Sequence, residues 1–257
     1  MIRSSMRRQA MVQENLCWQA EGWSVEVLYS QTGVATSILV SLELGGSLLL
    51  DCGDGTLRDL LKREVDLKLI KGIYLSHGHF DHVGGLHSIL GYMRMIGRNT
   101  PLIILTPHKA REDKLIIDAF TTAYGDSIPF EIERREVRGG ERINLGEINT
   151  ASFEVVHCGS TKQGGIGKQL PALGYVLQHH GQRVVFTGDC GLDSKLEPHI
   201  KDADLLIIEA TLKEPGGEME KRVHLSFDSA QRFAALAKKA FIIHRVGGLP
   251  PVEVGGQ

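Results

Sequence analysis

The chain has 257 residues, enough for one large domain or two small ones, and its 42% hydrophobic and 23% charged content is that of an ordinary water-soluble globular protein. With 29 basic against 31 acidic residues the net charge is −2, so no global basic field points to nucleic acid, and any such contact must come from a local patch. No apolar run approaches the ~20 residues of a membrane span, the basic start Met1 to Arg8 leads into no apolar signal segment, and Cys17, Cys52, Cys158 and Cys190 lack C-x-x-C spacing, as expected of a reduced, cytoplasmic protein.

Residues 1–23 carry no clear periodicity and read as a leader, ordered at most in part. Residues 24–257 read as one domain, because no Pro- or Ser-rich linker, charge run or compositional break divides them. Strands are predicted at 24–29, 36–44, 47–51, 72–76, 101–106, 129–137, 148–157, 173–179, 182–187, 204–209 and 240–244. Helices are predicted at 55–65, 83–97, 108–124 and 226–239, with a short one near 193–200. Gly45-Gly46 and His180-Gly181 sit where tight hairpin turns join flanking strands. Two stretches echo each other: GGSLLLDCGDG (45–55) and HGQRVVFTGDCGLD (180–193) both read turn, apolar strand, Asp-Cys-Gly, helix start. Two similar β-then-α halves predict two sheets packed together with helices outside, a four-layer αββα sandwich of the α/β class.

The stretch SHGHFDH (76–82) follows the apolar run Gly72-Ile73-Tyr74-Leu75 and concentrates His77, His79, Asp81 and His82 at a predicted strand end. Imidazole and carboxylate are ligands of borderline divalent metals, and two ligands beside two more suit a pair of ions. Further ligand-type residues close other predicted strands: His157 ends ASFEVVH, Asp189 ends RVVFTGD and His244 ends AFIIH. Cys52, Cys158 and Cys190 neighbour motif residues but fall on alternate strand faces, as small buried fillers would. The basic stretch ERREVRGGER (133–142) reads as the solvated face of an edge strand rather than a polyanion site.

SHGHFDH, with DCGDGT upstream and His157, TGD and a late strand-ending histidine downstream, resembles the metallo-β-lactamase fold from about residue 24 to 244. The resemblance implies two mixed sheets and two divalent ions, zinc first, with manganese or iron(II) as alternatives. His77, His79 and His157 would hold one ion, Asp81, His82 and His244 the other, with Asp189 between them. Asp51 would steady the ligand loop by hydrogen bonds. Within that fold, DCGDGT before a helix, the Glu209 of LLIIEAT (205–211) and the His224 that opens VHLSFDSAQRFAALAKKAFIIH (223–244) are similar to tRNase Z, the endonucleases that process tRNA 3′ ends.

The implied chemistry is phosphodiester hydrolysis by a metal-bound hydroxide, since water between two zinc ions loses a proton near neutral pH. Asp81 would take a proton, and His224, held by Glu209, would give one to the leaving oxygen. The departures concern RNA. The segment between His157 and Asp189 is too short for the long tRNA-gripping arm, and its Gly/Lys loop (162–168) reads as a flexible surface loop. SQTGVATS (30–37) lacks the Pro-Thr-x-x-Arg element. The tail GGLPPVEVGGQ replaces the expected Ser-x-x-Tyr and ends the fold early. The substrate is therefore expected to be a phosphodiester or other ester, RNA among them, and a homodimer is left open. A promiscuous carboxylic or phosphoric ester hydrolase, like the phosphodiesterases of phosphonate metabolism, is the second reading. A non-catalytic RNA-binding relative is disfavoured by the intact ligand set.

Overall fold

The computed structural model describes residues 16–255, so most of the stretch read as a leader, residues 1–15, lies outside the described residues. The first sheet contains, in spatial order, β1 (Cys17–Ala20), β2 (Trp23–Gln31), β3 (Ala35–Leu42), β4 (Ser47–Leu50), β5 (Ile70–Tyr74), β6 (Leu102–Pro107) and β7 (Ile132–Val137). β1 to β4 form an antiparallel meander, and β4 to β7 run parallel. The parallel crossovers carry α1 (Thr56–Lys62) after β4, α2 (Phe80–Val83) and α3 (Leu86–Met95) after β5, and α4 (Glu112–Tyr124) after β6.

The chain then enters the second sheet through β8 (Arg142–Leu145) and β9 (Ile148–Glu154). A separate hairpin, β10 (Cys158–Ser160) with β11 (Ile166–Gln169), precedes β12 (Leu173–His179) and β13 (Gln182–Phe186). α5 (Glu197–Ile200) leads to β14 (Leu205–Ala210), α6 (Gly217–Arg222) and α7 (Phe227–Ala234) lead to β15 (Lys239–Arg245), and β16 (Val252–Gly255) closes the edge. The spatial order is β8-β9-β12-β13-β14-β15-β16, antiparallel as far as β13, parallel from β13 to β15, and antiparallel again at β16. The repeat read in the sequence is thus a repeat of topology: β4 and β13 each end a meander and open a parallel set. Both hairpins that feed them are tight, and His180 and Gly181 take positive φ (47° and 78°), the mirror-image turn whose twist matches a two-residue hairpin.

Alternation along the strands sorts the core into layers. Leu48 and Leu50 of β4 point between the sheets, where Ile38, Val40 and Tyr74 meet Tyr175, Leu177, Phe186, Ile207 and Phe241. Leu49 points outward, with Ile73 and Ile104, onto Leu60, Leu86, Leu90 and Phe120 of the helices. On the far side Val185, Leu206 and Ile242 pack on Ala230, Phe233 and Ala234 of α7. This is the two-sheet sandwich with outer helices that the sequence predicts. Among the described residues no helix is long and apolar enough to cross a membrane.

The differences from the sequence reading fall on short elements. β1 lies inside the stretch read as leader and pairs with β2, Trp18 opposite Val25, so these residues are part of the sheet. β8, the β10–β11 hairpin, α6 and β16 were not predicted; runs of three to six residues hold too few periods to stand out from loop sequence. The loop read at 162–168 is therefore partly strand, and the short tail folds back on β15 as the edge strand of the second sheet. β7 keeps its cations paired: Arg134 to Asp113 at 2.6 Å and to Glu136 at 2.9 Å, and Arg135 to Glu133 at 2.5 Å. It is a solvated edge, as expected.

Arg98 has no catalytic neighbour yet is 1% exposed. Its guanidinium donates to the carbonyls of Leu67, Lys68, Thr100 and Pro101 at 2.7–3.0 Å, tying the α3–β6 turn to the segment before β5. Replacing it by methionine leaves those carbonyls buried without donors, so Arg98→Met should cost about 3 kcal/mol or more. Chemical denaturation measures this, and a change under 1 kcal/mol would mean that water replaces the guanidinium.

Candidate metal centre and active site

The C-terminal ends of the parallel strands of both sheets open on one edge of the sandwich, and the chain turns sharply there. After β4, Asp51 adopts a left-handed backbone (φ 59°), and at the end of β15 His244 does the same (φ 49°). Such strain costs on the order of 1–3 kcal/mol per residue and persists only where surrounding bonds hold it. At Asp51 those bonds are donated by Ser76 N (2.7 Å), Ser76 Oγ (2.8 Å) and His82 Nδ1 (2.6 Å). At His244 the backbone N–H donates to Ser30 Oγ (2.9 Å), while its carbonyl accepts from Thr32 Oγ1 (2.9 Å) and Thr211 Oγ1 (3.0 Å).

The motif SHGHFDH is not wholly a loop: α2 begins inside it at Phe80, so Asp81 and His82 ride on a helical turn. Gly85 then lets this turn sit directly on the Asp-Cys-Gly loop; a Cβ at Gly85 would stand 2.2 Å from the Gly53 carbonyl.

Three ring nitrogens converge, His79 Nδ1 lying 3.0 Å from His77 Nε2 and 3.1 Å from His157 Nε2. The other nitrogens of His157 and His77 are engaged outward. His157 Nδ1 donates to the Val223 carbonyl at 2.8 Å, and His77 Nδ1 lies 3.0 Å from Ser76 Oγ, whose own proton goes to Asp51. The lone pairs of both Nε2 atoms therefore face inward. Burial pushes His157 down to about 4 and holds His77 and His79 below the usual histidine range, so all three are neutral near pH 7.

A second group sets Asp81 Oδ2 3.2 Å from His244 Nε2 and 3.9 Å from His82 Nε2, and the Gly33 N–H donates to the same oxygen at 2.9 Å. Between the groups stands Asp189: Oδ2 is 3.4 Å from His82 Nε2 and 4.0 Å from His77 Nε2, and Oδ1 is 3.5 Å from His244 Nδ1. Burial opposes its charge, but His244, His82 and His224 around it hold its carboxyl well below the usual range. His82 is held well above the usual histidine range because Asp189 and Asp51 outweigh its burial.

Beside this cluster His224 Nδ1 lies 2.8 Å from Glu209 Oε1, and Nε2 has no hydrogen-bond partner among the described residues. Glu209, 1% exposed, also accepts from the backbone N–H groups of Cys190 (3.1 Å) and Thr211 (2.8 Å). Burial works against charge on His224, but Glu209 lifts it to about 9.

These residues can hold cations. The trios His77–His79–His157 and Asp81–His82–His244 each bring ligand atoms within 4.8 Å of one another, as do His77–His82–Asp189, His157–Asp189–His224 and Glu209–His224–His244. His77 Nε2 and His157 Nε2 both turn a lone pair toward His79 Nδ1, which has at most one proton to offer the two of them, whereas around a tetrahedral zinc such ligands stand ~3.3 Å apart. His82 Nε2 is fully buried and makes no well-formed hydrogen bond among the described residues. The donor set fits divalent metal.

All the residues singled out in the sequence for the site, Asp51, His77, His79, Asp81, His82, His157, Asp189, Glu209, His224 and His244, lie on this edge. Sequence reasoning did not single out Ser76, Thr211, which accepts from His244 Nδ1 at 2.8 Å, or the backbone groups of Val223 and Gly33. Ser76 and Thr211 could have been suspected, being hydroxyls next to ligand-type residues; the backbone groups carry no sequence signal. The thiols of Cys52 and Cys190 are pushed up by burial, Cys52 to about 12, so neither supplies a thiolate. A cavity of about 550 Å³ lined by Arg142, Asn149, Gln178, Arg183 and His199 lies on the outer face of the second sheet, by the starts of β9 and β13, the strands whose far ends lead to His157 and Asp189.

The model of the beta-lactamase superfamily domain matches residues 47–244, more than half of the chain. The chain belongs to this superfamily. Superfamily relatives include ribonuclease Z of Ignicoccus hospitalis, 28% identical over 238 residues and covering 78% of each chain, and ribonuclease Z of Borreliella burgdorferi, 27% identical over 248 residues, with 79% and 76% covered. Among solved structures, the human short-form tRNase Z superimposes with a TM-score of 0.68 at 22% identity, covering 86% of this chain and 92% of that one. A diphosphatase of the PhnP family superimposes with a TM-score of 0.64 at 18% identity, covering 89% and 88%. The fold is the metallo-β-lactamase sandwich.

Proposed function

We propose that this chain is a metal-dependent phosphodiesterase of the ribonuclease Z type, acting on RNA ends or on smaller phosphodiesters. The observation that carries the reading is the His224–Glu209 pair beside the ligand cluster, 2.8 Å apart, in which the buried carboxylate favours the protonated imidazole. Transfer of a phosphoryl group away from an alkoxide requires a proton on the departing oxygen, and a carboxylate-held imidazolium supplies it. The curated relatives named ribonuclease Z support the same reading.

His77, His79 and His157 would hold one ion, Asp81, His82 and His244 a second, and Asp189 both. Zinc suits the imidazole and carboxylate donors, with manganese or iron(II) as alternatives. When bound there, such ions lower the pKa of water toward 7 and offset charge on phosphoryl oxygens. The chain's own groups do the rest. Asp81, anchored by the Gly33 N–H, accepts a proton from water. His224 donates one from Nε2 to the leaving oxygen, while Glu209 keeps Nδ1 protonated and the ring aimed. Asp51 holds Ser76, and through it the His77 ring, together with His82. We place the protein in the cytoplasm, where its free cysteines stay reduced.

The second reading, a hydrolase of small phosphoric or carboxylic esters, is favoured by the shortness of the β10–β11 hairpin, which stands between His157 and Asp189 in place of a long arm. Cleavage of precursor tRNA, bis-p-nitrophenyl phosphate and a p-nitrophenyl carboxylic ester by the metal-loaded protein distinguishes the readings. Turnover of precursor tRNA should be little faster than that of the small diester, and the carboxylic ester should be the poorest. Efficient end-specific tRNA processing with a steep fall of affinity in salt would establish RNA as the main substrate. A preference for the carboxylic ester would overturn the phosphodiesterase reading.

A further inference from the structure

Glu220 on α6 takes no part in the chemistry above, yet it is 2% exposed. Its Oε1 accepts from Ser226 N (3.3 Å), Ser226 Oγ (2.5 Å) and Ser229 Oγ (2.6 Å), and its Oε2 from Gly216 N. Burial disfavours its charge, but these hydroxyls and amides hold its carboxyl below the usual range, so it is ionised at neutral pH. The carboxylate faces the N-terminus of α7, whose N-cap is Ser226, where negative charge is favoured.

What it clamps is the return from α6 to α7. Val223 N and His224 N both donate to the Met219 carbonyl at 2.9 and 3.1 Å, and Leu212 N donates to the Leu225 carbonyl at 2.9 Å. The same return presses on the turn that carries Asp189: a Cβ on Gly191 would stand 2.2 Å from the Lys221 carbonyl oxygen, so only glycine fits there. From this segment two groups reach the site. The Val223 carbonyl takes the His157 Nδ1 proton at 2.8 Å, and His224 meets Glu209 at 2.8 Å.

We propose that Glu220 is a positioning residue that aligns the His157 and His224 rings together, coupling cation binding at His77, His79 and His157 to proton donation by His224. The His224 half rests on the phosphodiesterase reading; the His157 half does not. The test compares Glu220→Ala and Glu220→Gln with Ser229→Ala, which removes one donor but keeps the carboxylate. Zinc affinity is measured by calorimetric titration, and kcat and KM are measured on an alkyl and a p-nitrophenyl phosphodiester.

Glu220→Ala should weaken one class of zinc site by about 10- to 100-fold. It should also lower kcat on the alkyl diester with little change in KM, and lower it less on the p-nitrophenyl diester. Glu220→Gln, which keeps an acceptor oxygen, should recover part of both losses, and Ser229→Ala should lose least. If the wild type hydrolyses no phosphodiester but its zinc affinity still depends on Glu220, the His157 half stands and the phosphodiesterase reading falls. A folded Glu220→Ala with unchanged zinc affinities, altered only in melting temperature, would reduce Glu220 to a helix clamp and overturn the inference. If Glu220→Ala does not fold, Glu220→Gln carries the same comparison.

Discussion

His224→Ala is expected to slow hydrolysis of an alkyl or ribonucleotide phosphodiester by about 10² to 10⁴-fold in kcat. Bound metal should stay close to that of the wild type, because Nδ1 of His224 is taken by Glu209, and the fold should persist at some cost in melting temperature, since Glu209 still accepts from the Cys190 and Thr211 amides. The loss should depend on the leaving group. An alkoxide must be protonated as it departs, whereas p-nitrophenolate leaves as a weak base and gains little from an acid. Glu209→Gln should show the same pattern more weakly, since a neutral amide still accepts from Nδ1–H but no longer favours the imidazolium. The sign of the pH effect follows from the raised pKa: the acid form predominates below it, so the alkyl-diester rate should fall as pH rises through that pKa. In His224→Ala that alkaline limb should disappear. Equal losses on both substrate types would mean that His224 binds phosphate or shapes the pocket, and the acid assignment would be wrong.

Chelation should strip about two ions per chain and lower the melting temperature. Free metal a thousandfold above Kd stabilises a site by ~4 kcal/mol, which in a domain of this size is a shift of about 10 °C. Asp189→Asn should come near to abolishing both binding and turnover. Its carboxylate is the group that stands within 3.4–4.0 Å of His77, His82 and His244 together, and an amide cannot carry the charge. Metal analysis of purified protein and calorimetric melts with and without chelator measure both effects. A chelator-insensitive melt with no bound metal would sink the metal centre altogether.

Much of this fold was legible in local pattern. Strands β2 to β6 and β12 to β15, and the helices after β4, β5 and β6, stand close to where periodicity puts them, because each buries a regular face. The paired turn–strand–Asp-Cys-Gly stretches led to the two-sheet architecture, since like sequences end meanders in both halves. What failed was short or one-sided. β1, β8 and β16 are edge strands of four residues, and they exist because a neighbouring strand offers them hydrogen bonds. α6 exists because Glu220 ties it to α7.

The sequence by itself determined which ligand-type side chains would end buried strands, and hence the kind of chemistry this edge can support: identity and local spacing settle residue type and strand register. Only the tertiary structure decided how those side chains face one another. The resemblance implied Asp189 between the two histidine groups and His224 held by Glu209, but the fold sets their distances, 3.4 Å from Asp189 to His82 and 2.8 Å from His224 to Glu209, and turns His157 Nε2 inward because a carbonyl 66 residues away takes its other proton. Each depends on distances between residues far apart in the chain, which no local pattern encodes, and on backbone groups that every residue type carries alike.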